Sequence, residues 1–244
     1  MALHRSEILI IGSGLAGLAA ALKLSDRFEV TVLAKEKAVS TNTSWAQGGI
    51  AAVMSEGDTF ERHIEATLTA GAGMCHNGVV ENIVRQAPDR IQDLLDWGAQ
   101  LDLKDLTREG GHTARRILHF EDHTGSHLHE VLLSQVKKNP RIQVHENILA
   151  IDLIVNKQID PWDMSPTQCV GVYALNKARG QVDIYRAQEV LLATGGAGKV
   201  YRYTSNWSGA TGDGIAMAYR AGVRVANLEF MQFHPTCLYH RESR

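Results

Sequence analysis

An α/β fold with a mostly parallel sheet is what this sequence predicts, and three observations carry that expectation. The apolar run Glu7-Ile-Leu-Ile-Ile11 has the length of a buried strand, turns through Gly12-Ser13-Gly14-Leu15-Ala16-Gly17, and enters a helix-forming stretch over 15–24. A second apolar strand, Glu29-Val-Thr-Val-Leu33, follows where a strand–helix–strand unit requires one. Much later, after several short alternating strands, Val190-Leu-Leu-Ala193 runs into Thr194-Gly195-Gly196-Ala-Gly198, a second strand that ends on a glycine turn.

In the first turn each glycine has a physical task. Gly12 permits the turn, Gly14 lets the backbone approach a pyrophosphate, and Gly17 lets helix and strand pack closely, so that an anion sits on the helix N-terminus. A helix dipole contributes only about 0.3–1 kcal/mol to such an anion, so several backbone donors must converge on it. At the end of the second strand an NAD site presents Asp or Glu to the ribose, but this chain has Ala34-Lys35 with Glu36 just after. Plain NAD is disfavoured, and Lys35 becomes a candidate for hydrogen-bonding adenosine or neutralising phosphate. The next signature is Ser44-Trp45-Ala46-Gln47-Gly48-Gly49. An amide side chain beside unhindered backbone N–H groups suits a planar ring with polar edges, and the two glycine-rich signatures together point to flavin.

Further along, Asp58 reads as the N-cap of a helix over 59–70, and Asn77 starts another that pauses at Pro88 and ends near Trp97-Gly98. A helix over 126–138 precedes strands at 142–145, 149–155, 170–175, 182–185 and 189–193, which read as a small antiparallel meander before the sheet resumes. The polar stretch 158–168 is its surface loop, and Thr211-Gly-Asp213-Gly214 opens a last helix over 215–222.

With 25 basic against 27 acidic residues the chain has no electrostatic footprint for nucleic acid or an acidic membrane surface. Cys75, Cys169 and Cys237 are few, odd in number and far apart, so neither a disulfide framework nor a zinc site is expected, and reduced thiols in a cytoplasm fit best. No apolar stretch reaches spanning length and the N-terminus lacks a signal-peptide pattern, so a soluble cytoplasmic protein is expected. His119, His123 and His127 recur at helical spacing, but Thr124-Gly125 interrupts any helix there and no HExxH occurs, so no metal is expected.

From Thr41 onward the residues TNTSWAQGGIAA resemble the succinate dehydrogenase and fumarate reductase flavoprotein family, and within it the L-aspartate oxidase branch. The resemblance implies a Rossmann-like two-dinucleotide-binding-domain FAD fold, with an FAD-binding domain over 1–228 and the beginning of a capping domain over 229–244. In membrane-bound members a histidine before AQGG is joined covalently to FAD, and the matching position here is Asn42, so the flavin is expected to be non-covalent. The resemblance further implies cofactor contacts at Asn42, Thr43, Ser44, Trp45 and Ala46, at Ala150, at Thr194, Gly195 and Gly196 in the ATGG signature, and at Asp213.

The polar constellation Thr107-Arg-Glu109-Gly-Gly-His-Thr-Ala-Arg-Arg-Ile-Leu-His119 matches the aspartate oxidase pattern closely. In that branch the residue matching Glu109 faces the substrate's ammonium, a role that succinate would not need. Arg115 and Arg116 are candidate carboxylate ligands of which one at most points into a site, on the expectation that they share a helix. The segment Asn227-Leu-Glu-Phe-Met-Gln-Phe-His-Pro-Thr236 resembles the family's passage into the capping domain and adds Gln232 and His234 as substrate-site residues. The implied reaction is oxidation of L-aspartate to iminoaspartate, with O2 or fumarate as electron acceptor, and a functional link to quinolinate synthase. Family members continue well past the position of Arg244, and their acid/base arginine belongs to that later part. A soluble fumarate reductase or succinate dehydrogenase flavoprotein and a catalytically silent FAD-binding fragment are the alternative readings.

Overall fold

The computed structural model describes residues 1–160, 162 and 164–233. In chain order its strands are β1 (Leu3–Ile11), β2 (Val30–Ala34), β3 (Ile50–Ala51), β4 (Ile117–Leu118), β5 (Ile142–Glu146), β6 (Ile148–Val155), β7 (Cys169–Asn176) and β8 (Gln181–Leu192). The α-helices are α1 (Leu15–Leu24), α2 (Phe60–Ala70), α3 (Asn77–Asp96), α4 (Thr124–Lys138), α5 (Asn156–Ile159) and α6 (Asp213–Arg220). They form two compact units, one of Met1–Asn42 with Val136–Arg244 and the other of Thr43–Gln135. The expected domain boundary at 228/229 falls near the end of the described residues; the two compact units divide the chain after residues 42 and 135.

The first unit is built on a six-stranded sheet in the order β5-β2-β1-β8-β7-β6. β5, β2, β1 and β8 run parallel, while β7 pairs antiparallel with both β8 and β6. All five residues of β2 are buried, which explains why it reads as a continuous apolar run rather than an alternating one. The two strands expected at 182–185 and 189–193 are one, β8, because it keeps parallel register with β1 from Leu3↔Ile184 to Ile11↔Leu192 while its first half also pairs with β7. The antiparallel meander is therefore hydrogen-bonded into the parallel sheet rather than standing as a separate one. Leu9, Ile11, Leu33, Leu153, Val172, Tyr185 and Met217 pack together as the core that joins the meander, the parallel strands and α6.

In the second unit α2, α3 and most of α4 accompany the two-stranded ribbon β3–β4. Thr59, not Asp58, caps α2: its hydroxyl accepts the Arg62 N–H at 3.2 Å, and the Asp58 carboxylate is engaged elsewhere. α3 runs through Pro88 without the expected pause. Its buried face, Val84, Ile91 and Leu94, lies on both sides of the proline, so packing outweighs the missing hydrogen bond. Among the described residues no helix is long and apolar enough to cross a membrane.

Candidate functional site

In the first unit the two glycine turns leave the sheet together. Gly12 donates its N–H to Leu33 O at 2.9 Å, and Ala193 donates to Ile11 O at 2.9 Å, so the ends of β1, β2 and β8 are tied at one level. Gly12 has φ +117°, and a Cβ there would lie 2.2 Å from Ala193 O. A Cβ on Gly17 would lie 2.0 Å from Gly12 O, so close packing of α1 on its own entry turn forbids any side chain. Helix α1 starts at Gly14 with no side-chain cap and no acidic residue in its first turn, so the helix itself places no carboxylate at its positive end. The Ser13 hydroxyl is turned into the protein, donating to Ala38 O at 3.0 Å, while Leu15 and Ala16 form the first helical turn.

Lys35, directly after β2, places its ammonium 2.7 Å from Asp213 Oδ2 and 2.8 Å from the Thr211 hydroxyl. It also lies 5.5 Å over the Trp207 ring. Thr211 in turn donates to Asp213 Oδ1 at 2.7 Å. Burial pushes the Asp213 carboxyl up, but the hydrogen bonds from Lys35 and Thr211 outweigh it and hold it below the ordinary carboxylate range. Asp213 opens α6, whose entry is fitted to the ATGG turn: Gly212 donates to Gly196 O at 3.2 Å, and a Cβ on Gly214 would lie 1.9 Å from the Thr194 hydroxyl. Gly195 has φ +71°, and a Cβ on Gly195 or Gly196 would meet open space. The Asn42 carboxamide oxygen accepts the backbone N–H of Trp207 at 2.8 Å. Lys35, Asn42, Asp213 and the ATGG turn are thus linked through Trp207 and Thr211, which sequence reasoning missed. Ala150 differs: it is buried in the core with Leu9 and Leu33 and paired opposite Ala174 in the β6–β7 ladder, so its side chain offers nothing to a ligand.

In the second unit Thr43, Ser44 and Trp45 form one 3-10 turn, and Ala46 O accepts the Gly125 N–H at 3.0 Å. A Cβ on Gly125 would lie 2.1 Å from Thr43 O, so the Asp-x-Thr-Gly element supports this loop as well as opening α4. Gln47 and Gly48 are exposed, and Gly49 lies so close to β4 that a Cβ would come 2.1 Å from Leu118 O. A Cβ on Gly48 would lie 3.7 Å from Glu109 Oε1. Two motifs about sixty positions apart in sequence are therefore neighbours: the AQGG loop and the carboxylate of the polar constellation.

Arg115 and Arg116 do not lie on a helix, as expected from their spacing, but in extended chain leading into β4. They point opposite ways. Arg115 is exposed and reaches Leu106 O at 3.3 Å, whereas Arg116 is fully buried and forms a bidentate pair with Asp58, Nε to Oδ2 at 2.8 Å and Nη2 to Oδ1 at 2.7 Å. His63 and His112 lie beside this pair with ring centroids 5.8 Å apart. Burial pushes the His63 imidazole down, the Arg116 charge and His112 add to this, and Asp58 opposes it.

The three histidines of the helical spacing serve different partners. His119 Nε2 lies 3.1 Å from Asp105 O, His123 Nδ1 lies 3.1 Å from the Asp122 carboxylate, and His127 Nε2 accepts the Gln100 N–H at 2.9 Å. Gln232 is exposed, and His234 lies outside the described residues.

Fit to a dinucleotide rests on a start of α1 without an acidic residue in its first turn, glycines that tolerate no Cβ on the protein side, and open space above Gly195 and Gly196. Known proteins agree. The family model for the FAD binding domain matches residues 7–244. The chain is 44% identical to an L-aspartate oxidase of Pseudomonas aeruginosa over 99% of its length, covering 46% of that protein. It is 47% identical to one of Yersinia pestis, again covering 99% of this chain and 46% of the relative. The chain thus spans a little under half the length of the curated relatives it matches. Among solved structures, a variant of E. coli quinol fumarate reductase FrdA superposes with TM-score 0.83 at 30% identity, over 90% of this chain and 37% of that one. A Mycobacterium smegmatis Sdh1 complex superposes with TM-score 0.80 at 28% identity, over 91% and 39%. A glycine-turn sheet with this match along nearly its whole length belongs to the FAD binding domain family, and its cofactor is FAD.

Proposed function

We propose that the protein oxidises L-aspartate to iminoaspartate and passes the electrons to O2 or fumarate, as the first step of quinolinate and NAD synthesis. The observation that carries this reading is the Glu109 carboxylate lying beside Gly48 of the AQGG loop. A carboxylate there complements an α-ammonium, which aspartate has and succinate lacks. The sequence similarity to L-aspartate oxidases supports the same substrate.

Bound FAD supplies the two-electron acceptor for the hydride leaving Cα. The chain's residues do the rest. Backbone N–H groups at the 12–17 turn and the start of α1 bind the pyrophosphate, while Lys35, Asp213 and the turn at Thr194, Gly195 and Gly196 hold the nucleotide. The stretch 42–49 borders the flavin ring, held without a covalent bond because Asn42 offers an amide. Glu109 orients the substrate by its ammonium, and Gln232 and His234 take a carboxylate. We assign 1–228 to the FAD-binding domain and 229–244 to the start of the capping domain. A cytoplasmic setting and a link to quinolinate synthase accompany this reading, since an imine hydrolyses in water and must be consumed promptly.

The likeness to FrdA favours a second reading, a soluble fumarate reductase or succinate dehydrogenase flavoprotein. Glu109→Gln in the full-length, FAD-loaded protein separates the two. It keeps the shape but removes the charge, and a charge-assisted hydrogen bond is worth about 1.5–3 kcal/mol, so kcat/KM for aspartate should fall roughly ten- to a hundredfold. Fumarate reduction should be nearly unchanged. Equal losses on both substrates would reject the aspartate reading, and bound flavin with no turnover of either would mark a catalytically silent FAD-binding protein.

A further inference from the structure

We infer that the buried Asp58–Arg116 pair, acting through Thr113, positions Glu109 and thereby sets the preference for an amino dicarboxylate over a plain one; this rests on the role proposed for Glu109. The carboxylate sits in a loop whose base is closed by paired backbone bonds, Thr107 N to Ile117 O at 3.0 Å and Ile117 N to Thr107 O at 3.1 Å. Between these ends Gly110 and Gly111 lie next to Glu109, Gly111 has φ +83°, and a Cβ on either would meet nothing. Such a tip does not hold a side chain in place by packing.

What fixes the loop is one guanidinium. Asp58 is anchored at the start of α2, where its Oδ1 also accepts the Thr59 N–H at 2.9 Å. Arg116 grips both Asp58 oxygens and extends Nη2 to the Thr113 hydroxyl at 3.3 Å. Thr113 follows the turn in which His112 N–H reaches Glu109 O at 3.3 Å. Polar contacts therefore run from α2 to the Thr113 side chain, and the Thr113–His112 peptide and the His112 N–H bond carry the line on to the backbone of Glu109. Asp58 and Arg116 are both 0% exposed, so the pair is shielded from the competing water that weakens surface ion pairs. The guanidinium brings two separate nitrogens, Nε to one carboxylate oxygen and Nη2 to the other and to the hydroxyl; lysine, with one nitrogen, does not reproduce that planar spread.

The test uses the full-length, FAD-loaded protein with R116K, T113V and T113S beside E109Q, each measured in aspartate oxidation and fumarate reduction. T113V cuts the loop end of the line and leaves the ion pair intact, so it reports even where R116K fails to fold. Loss of ammonium alignment should lower kcat/KM for aspartate about tenfold in T113V and R116K, with fumarate reduction within roughly twofold. T113S should restore the aspartate rate. In an E109Q background T113V should cost nothing further for aspartate, because a residue acting through Glu109 has nothing left to position. If E109Q is selective for aspartate but T113V and R116K leave the aspartate-to-fumarate ratio unchanged, the inference falls while the proposed function stands. If E109Q itself weakens both substrates equally, both fall.

Discussion

At position 17 a single methyl group is enough to oppose the first turn. The helical backbone there suits alanine, which is a better helix former than glycine, so propensity alone favours the substitution. Space decides otherwise: a Cβ would lie 2.0 Å from Gly12 O, a backbone atom with no rotamer through which to escape. Gly17→Ala must push α1 off its entry turn, and overpacking of this kind costs about 1–3 kcal/mol. Differential scanning calorimetry of the apo protein should show a lowered Tm, and gel filtration should strip more flavin from the variant than from the parent. A variant that melts as before with full flavin would mean that the turn relaxes freely. This glycine was legible in the sequence because its spacing alone fixed its task. Ser13 was not, since a hydroxyl in the same motif is free to face ligand or protein and only its bond to Ala38 O decides. Asn42 was legible as a replacement for histidine, but its grip on Trp207 was not, because that partner is 165 residues away.

At the scale of elements, period and punctuation located most helices and strands, and tertiary contacts moved the details. β8 looked like two strands because its middle residues break the apolar pattern, yet pairing with β1 carries them through. Asp58 had the sequence signature of a cap, and an arginine 58 positions away claims it instead. That displacement creates the polar cluster of the second unit, whose histidine gives a pH prediction. His63 has its pKa lowered below 6.5, by burial first and then by Arg116 and His112. In the first unit His145 is lowered likewise, by burial and then by His4. The folded state therefore binds fewer protons than the unfolded chain at these sites, so their stabilising contribution is complete above pH 6.5 and is lost as pH falls through the lowered folded values. Chemical denaturation between about pH 8 and about pH 5.5 should show stability declining on the acid side, within the range where histidine titrates. His63→Gln and His145→Gln should each flatten that decline; an unchanged slope in both would assign it to other groups.

For the whole molecule, the cofactor's mode of attachment follows from what the chain lacks the chemistry to do. A covalent flavin link needs a nucleophilic side chain at the matching position, and a carboxamide, whose nitrogen lone pair is delocalised into its carbonyl, is not one. Asn42 is moreover already occupied, its oxygen accepting the backbone N–H of Trp207 at 2.8 Å, while the Lys35 ammonium lies 5.5 Å over the Trp207 ring. On the proposed function, binding comes from many modest contacts, namely the start of α1, the ATGG turn and the Lys35–Asp213 pair, and is reversible. Denaturation of the FAD-loaded protein with acid should leave the yellow chromophore in the supernatant, and a yellow pellet would overturn this. Reversible binding also couples to folding by mass action: at free FAD of one hundred times Kd the folded state gains about 2.7 kcal/mol. Tm of the apo protein should therefore climb steadily with added FAD, without the plateau at one equivalent that a covalent adduct would produce. Lys35→Met should shift that titration to higher FAD, since it removes the cation that balances Asp213 and leaves that carboxylate without its charge partner in the proposed nucleotide site. A Lys35→Met curve that overlays the parent's would assign nucleotide binding to the backbone turns alone.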